Sequence, residues 1–249
     1  MSENIKDAIQ YGVELSQGQQ VVHVIDGKTF YDRTKADLKE VEPIKYAATL
    51  TINSLTGLIN YLKSKFDEEA DAVQEEILLH VESPTSVIAY SKLNSDRCRE
   101  SLVEAKMRMD KFNYGYFMDS EQFIINIQSL FQREKDAEAV LKCASGIRIE
   151  GGGDLYDNGI SQQVSVKQGA ATIQKAEVPS PATLKPYRTF LEIDQPEGQF
   201  IFRINKHGEC ALFEADGGIW KNHAIDQIKE YLTSALKDEV GSGQITIIG

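Results

Sequence analysis

The side chains best suited to holding a ligand fall in the last third of the chain. Tyr187 and Arg188 lie in the segment PYRTFLEI, Arg203 lies in QFIFRIN, and Trp220, Lys221 and His223 stand at the head of an apolar-periodic run. An arginine fork binds carboxylate or phosphate through two parallel hydrogen bonds, an aromatic face stacks on a base or a guanidinium plane, and a helix N-terminus attracts anions. With the two segments as neighbouring strands and the run as a helix, these six residues converge on one ligand-binding site. A competing arrangement spends them on architecture: Arg188 and Arg203 pair with Glu192, Glu197 or Glu214 across strands, and Trp220 packs the helix onto the sheet.

Other candidate chemistry is weaker. Gly151-Gly152-Gly153 has neither the GxxxxGK[ST] nor the GxGxxG context of a phosphate loop and reads as a hairpin tip. Asp154, Asp157 and Asn158 offer oxygen ligands without the spacing of a calcium loop. The four histidines, His23, His80, His207 and His223, are isolated, with no zinc-binding pattern around them. No GxSxG elbow marks a nucleophile. The acidic run from Asp67 to Glu76 reads as a solvated face, since a general acid needs burial to raise its pKa. The expectation is a protein without catalytic residues, resident metal or cofactor, with a nucleotide- or peptide-directed hydrolase using Asp154 and Asp157 as a remote alternative.

Bulk properties narrow the partners. The 249 residues carry a formal net charge of −11, which opposes wrapping of a polyanion, so a nucleic-acid partner is disfavoured and would need a local patch such as Lys106, Arg108 and Lys111. Three cysteines without a CxxC pair suit a reducing compartment. The N-terminal segment is interrupted by Asp7 and Glu14, and no apolar stretch reaches the roughly 20 residues of a membrane span. A cytoplasmic protein with no membrane partner is expected.

Positioning these residues requires an α+β fold. Residues 3–15 read as a short amphipathic helix; Asp26-Gly27 marks a hairpin; residues 45–52 form a strand feeding a helix capped by Asn53 or Ser54. ILLHVES and SVIAYSKL flank a second hairpin turn, and residues 100–107 alternate as a third strand, with a helix nearly as good a reading. Asp119 caps SEQFIINIQSLFQ, and residues 134–144 form another helix. From Ile147 to Leu212 the pattern is period two and turn-punctuated, a β-meander, followed by a helix over 222–239 capped by Asn222, and an apolar tail QITIIG. This gives an N-terminal α/β portion, residues 1–145, and a C-terminal antiparallel sheet closed by the last helix, residues 146–249, with a shared core an open alternative. The apolar tail and short meander strands leave edges that need covering, which suggests a homo-oligomer.

The order of TLTINSLTGLINYL, FMDSEQFIINIQSLF, DAEAVLKCASG and PYRTF…FIFRINKHGECALFEADGGIWKNHAIDQIKEYL, together with the N-terminal helix, resembles a family of phage and prophage proteins catalogued as a domain of unknown function, whose namesake is a prophage-encoded enterobacterial protein. The resemblance spans nearly the whole chain and brings no catalytic residues with it. It implies a phage-encoded intracellular protein. The function expected is non-enzymatic binding during host takeover, as counter-defence by sequestering a host protein or a small nucleotide-like signal. An accessory role in phage DNA replication or recombination is the alternative.

Overall fold

The computed structural model describes residues 46–67, 76–94, 97–146 and 180–249, together with the backbone of strands lying outside those ranges. The chain divides into Met1–Lys45 and Tyr46–Gly249. In the first unit, β1 (Val22–Ile25) and β2 (Lys28–Tyr31) pair antiparallel across Asp26-Gly27, with Ile25 opposite Lys28. The helix expected over residues 3–15 lies outside the described residues.

The second unit contains two apolar cores. The first is built on a five-stranded mixed sheet of β3 (Leu50–Ile52), β4 (Ile77–Ser83), β5 (Ser86–Ser91), β6 (Ser101–Lys106) and β13 (Ile245–Ile248), in the order β13-β4-β5-β6-β3. Both hairpin strands and the third strand expected at residues 100–107 are present, joined antiparallel, while β3 and β13 add in parallel at the two edges. Register explains the covered face. Leu79, Ala89 and Val103 face one another across the sheet, as do Val81, Val87 and Ala105, and all six are buried. Two helices lie on that face. Helix α1 (Leu55–Ser64) contributes Leu55, Leu58 and Ile59; its N-terminus is capped by Ser54, whose Oγ accepts from the Gly57 amide at 3.0 Å. Glu192 Oε1 accepts from the Thr56 amide at 3.0 Å, satisfying a second amide of that first turn.

The second covering helix is α4 (Trp220–Ala235), the helix expected near the C-terminus. Ile228 and Leu232 are fully buried against the mixed sheet with Leu79, Val81 and Ile245. Its apolar stripe is the one predicted, but the face it covers is that of the mixed sheet and not of the late antiparallel strands. It also begins before Asn222: Ile219 stands at the N-cap position without a side-chain cap, and Asn222 lies within the first turn. A short helix, α5 (Lys237–Gly241), then turns the chain into β13. The apolar tail therefore covers an edge of its own chain, pairing Ile245 with Ile77 and Ile247 with Leu79.

The second core lies under β10 (Ala182–Leu184), β11 (Gly198–Ile204) and β12 (Cys210–Glu214), an antiparallel sheet in that order. Helices α2 (Ser120–Leu130) and α3 (Ala137–Gly146) cover it. Asp119 caps α2 as its sequence position suggests, with Oδ1 accepting from the Gln122 amide at 2.8 Å. The packing is strongly aromatic: Phe123 stacks on Phe202 with ring centroids 5.3 Å apart, and Phe112 meets Phe131 edge-on at 5.3 Å. The β-rich stretch expected from residue 147 resolves into two antiparallel three-stranded sheets, β10 to β12 and a separate one of β7 (Tyr156–Asp157), β8 (Gln162–Gln168) and β9 (Thr172–Glu177).

The cores interlock. Helices α2 and α3, which end by Gly146, cover the late strands, and the helix and strand that end the chain complete the early sheet. The class is α+β, with a mixed sheet, late antiparallel strands and a terminal helix.

Two measurements check this packing. Leu232→Ala removes a fully buried side chain from the α4 interface and is expected to cost about 2–5 kcal/mol, whereas Glu230→Ala on the exposed face stays within about 0.5 kcal/mol; equal urea midpoints would contradict the docking. Cys143 and Cys210 are buried, and burial pushes their thiols up, that of Cys210 to about 12. Cys98 is exposed. Alkylation of the folded protein at mildly alkaline pH should modify Cys98 alone, since the thiolate is the reactive form; rapid labelling of all three would show the second core to be open.

Candidate functional site

The cavity that brings four of the six predicted residues together lies where the two cores meet. It encloses about 370 Å³, near the lower end of the roughly 300–1,000 Å³ typical of small-ligand sites. Pro84 and Thr85 come from the β4–β5 turn, Met109, Lys111, Phe112 and Tyr114 from the segment after β6, Tyr187 and Arg188 from the segment after β10, Glu214 from the end of β12, and Trp220 and Lys221 from the start of α4.

Arg188 is the centre of this arrangement. It does not sit on a strand: PYRTFLEI alternates like one, but from Tyr187 to Glu197 the chain forms a loop organised by the buried side chain of Gln195. Gln195 Oε1 accepts from the amides of Arg188 and Thr189 at 2.9 and 3.2 Å, and its Nε2 donates to the carbonyls of Thr189 and Phe190 at 3.3 and 3.1 Å. One side-chain amide thus supplies partners that a strand ladder would otherwise provide. Thr189 Oγ1 donates to the Pro84 carbonyl at 2.6 Å and ties the loop to the β4–β5 turn.

The Arg188 side chain this loop delivers is only 8% exposed. Its Cζ lies 4.0 Å from the centre of the Trp220 ring and 5.8 Å from that of Phe200, so two aromatic faces replace part of its lost hydration. Nη2 donates to the Pro196 carbonyl at 3.1 Å, Nη1 reaches Glu214 Oε1 at 3.5 Å, and Asp216 Oδ2 is 3.9 Å from Nη2. Burial lowers the pKa of Arg188, and the neighbouring acidic groups Tyr114, Asp216 and Glu214 oppose that shift; an arginine nevertheless stays protonated. Burial likewise pushes the Tyr114 hydroxyl above its ordinary range.

Hydrogen-bonding capacity is left over. Arg188 Nε, Trp220 Nε1 and Asp216 Oδ2 are all buried and have no hydrogen-bond partner among the described residues. Such atoms each forfeit about 1–3 kcal/mol, so three around one guanidinium mark a place where the fold has sacrificed stability. Charge around the cavity is predominantly positive, with Lys111, Arg188 and Lys221 against Glu214. Tyr187, Tyr114, Phe112 and Trp220 supply flat apolar surface. The arrangement suits a small anion carrying a planar ring.

Four of the six expected residues, Tyr187, Arg188, Trp220 and Lys221, line this cavity. Arg203 and His223 do not. Arg203 lies on β11 between the inward-facing Phe202 and Ile204, hence on the opposite face of the strand, where its Nη1 contacts Ser180 Oγ at 3.3 Å. His223 is exposed on α4 outside the lining. Of the architectural pairings considered from the sequence, the one between Arg188 and Glu214 is formed. Glu192 caps α1 instead, Glu197 pairs with Lys135 at 3.2 Å, and Trp220 stacks on a guanidinium instead of packing on a sheet. In the basic patch considered for nucleic acid, Lys106 pairs with Glu104 at 3.4 Å and Lys111 lines the cavity. Sequence reasoning missed Tyr114, Asp216 and Gln195. Asp216-Gly217-Gly218 before α4 was the readable signal, since Asp216 Oδ1 accepts from the Gly218 amide at 2.9 Å and both glycines have positive φ. Among the described residues no three His, Cys, Asp or Glu side chains cluster to hold a metal; Gly151–Asp154 and Asn158 lie outside the described residues, and only the backbone of Asp157 is described.

Comparison of the chain with protein-family models, with curated proteins and with solved structures finds no match.

Gly198 gives a direct test of the site's construction. A Cβ there would stand 2.7 Å from Arg188 Nη2 and 2.8 Å from Asp216 Oδ2, so the glycine is required for these two groups to approach the strand. Gly198→Ala should cost about 1–3 kcal/mol and displace the guanidinium from the indole. Trp220 is the chain's single tryptophan, so its fluorescence reports the stack; an unchanged emission spectrum with unchanged stability would contradict this geometry.

Proposed function

We propose that the chain is a non-enzymatic binding protein that holds a small nucleotide-like anion in the cavity between its two cores. The observation that carries the reading is Arg188: a side chain nine-tenths buried, its guanidinium stacked on Trp220, lining a ligand-sized cavity, with Nε unpartnered among the described residues. A fold that used this arginine only as a structural ion pair would satisfy its donors; here the shortest hydrogen bond of the guanidinium is to a backbone carbonyl, at 3.1 Å, and the carboxylate contacts lie at 3.5 and 3.9 Å. An anion's oxygens supply the missing acceptors, while a ring finds Tyr187 and Tyr114 on the cavity wall.

The phage setting enters through the sequence resemblance. A protein made during host takeover that binds a nucleotide-like signal without turning it over acts as a sponge, lowering the concentration that reaches the host's receptor. The acidic net charge of −11 favours a small ligand over a nucleic acid, because a pocket concentrates positive charge locally while the remaining surface repels a polyanion.

Titration of dialysed protein with nucleoside monophosphates and cyclic nucleotides, followed by Trp220 emission, tests the reading. Saturable quenching is expected, lost in Arg188→Gln. Lys221→Ala removes an exposed cation and should weaken binding by about two- to fivefold without moving the melting temperature. Absence of saturable binding across these nucleotides in the folded wild-type protein would refute the proposal.

A further inference from the structure

Among the described residues Glu214 is the one acidic side chain in the cavity lining, and its carboxylate contacts the guanidinium. Its contact is weak: Oε1 lies 3.5 Å from Arg188 Nη1, and the side chain is 39% exposed. The other partners of the guanidinium, the Pro196 carbonyl and Asp216, are outside the lining. Glu214 therefore holds the cavity-side position that an incoming anion would take. Resting on the reading of the cavity as an anion site, we infer that Glu214 is a built-in competitor for Arg188 and selects phosphate over carboxylate ligands.

The argument is one of exchange. A ligand carboxylate would replace the Glu214 carboxylate at Arg188 with a group of the same charge and geometry, and would then face the displaced acid across the cavity. That exchange returns nothing. A phosphate monoester carries a charge of about −1.5 to −2 at neutral pH and three acceptor oxygens. It can engage Arg188 and still reach the ammonium groups of Lys111 and Lys221, which line the same space. Breaking a partly exposed contact at the outer limit of hydrogen bonding costs little against that gain. Glu214 thus discriminates by what it makes a poor ligand overcome.

Calorimetric titration of the full chain with adenosine 5′-monophosphate, and with 5′-O-carboxymethyladenosine, which carries a carboxylate on a methylene where the phosphate group stands, tests this. Wild-type protein should prefer the monophosphate by about tenfold or more. In Glu214→Gln the carboxylate analogue should bind about tenfold tighter than to wild type, narrowing the preference, because a neutral amide no longer competes or repels. If the wild-type protein binds the monophosphate and Glu214→Gln leaves both affinities unchanged or weaker, the competitor role is overturned while the anion site stands. A wild-type preference for the carboxylate also overturns it. If neither protein binds either compound, the anion site falls with it. Glu214 ends a strand in a partly exposed position, so the variant should melt close to wild type, and a collapsed melt would be answered by repeating the comparison with Glu214→Ala.

Discussion

The arrangement around the cavity depends on one buried charge. Placing a guanidinium in a protein interior removes hydration worth several kcal/mol even after relaxation, and Arg188 recovers only part of that loss through Trp220, Phe200, one backbone carbonyl and two distant carboxylates. The surrounding structure is arranged to tolerate it. Gln195 fixes the loop that carries it, Thr189 ties that loop to the β4–β5 turn, and Gly198 leaves room beside the strand. Phe190, two residues along, is buried in the first core, while Phe200, beneath the guanidinium, belongs to the second. Arg188 is thereby held from both sides.

That placement links the interlocked topology to the site. Because α4 covers the mixed sheet while β10 to β12 belong to the other core, Trp220 at the start of α4 meets Arg188 from the other core's connecting loop only if both cores are formed. The cavity is a property of their junction and not of either core alone. Stability is given up there, in the orphaned Nε, Nε1 and Oδ2 atoms, which is the pattern expected where a fold keeps groups ready for something other than itself.

Much of the local structure was legible in the chain because its causes are local. Asp119 and Ser54 cap helices through contacts a few residues away, and the period-two alternation of ILLHVES and SVIAYSKL defines a sheet face without reference to anything distant. What periodicity does not contain is the identity of the partner. The stripe of Ile228 and Leu232 said that α4 must be covered and not by which sheet; QITIIG said that an edge strand was available and not that β4 would take it. PYRTFLEI misled for a different reason, since the side chain of Gln195, six and seven residues further along the same loop, substitutes for the neighbouring strand that its alternation implies. Tyr187, Arg188, Trp220 and Lys221 could be named because residue chemistry is readable without coordinates. Arg203 could not be excluded without the face of β11, nor Tyr114 and Asp216 included without the loops that deliver them.

The central claim is that Arg188 and Trp220 hold unspent donors for an anion, and the chain's single indole N–H offers the most direct measurement of it. In a nitrogen–proton correlation spectrum, Trp220 gives one indole resonance, whose position reports hydrogen bonding at Nε1. Titration with adenosine monophosphate should move that resonance and the Arg188 Nε–H resonance together and saturably, at the same ligand concentration, as both gain an acceptor or a new neighbour. An indole resonance that stays fixed at saturating ligand, with the Arg188 signal equally unmoved, would contradict the account.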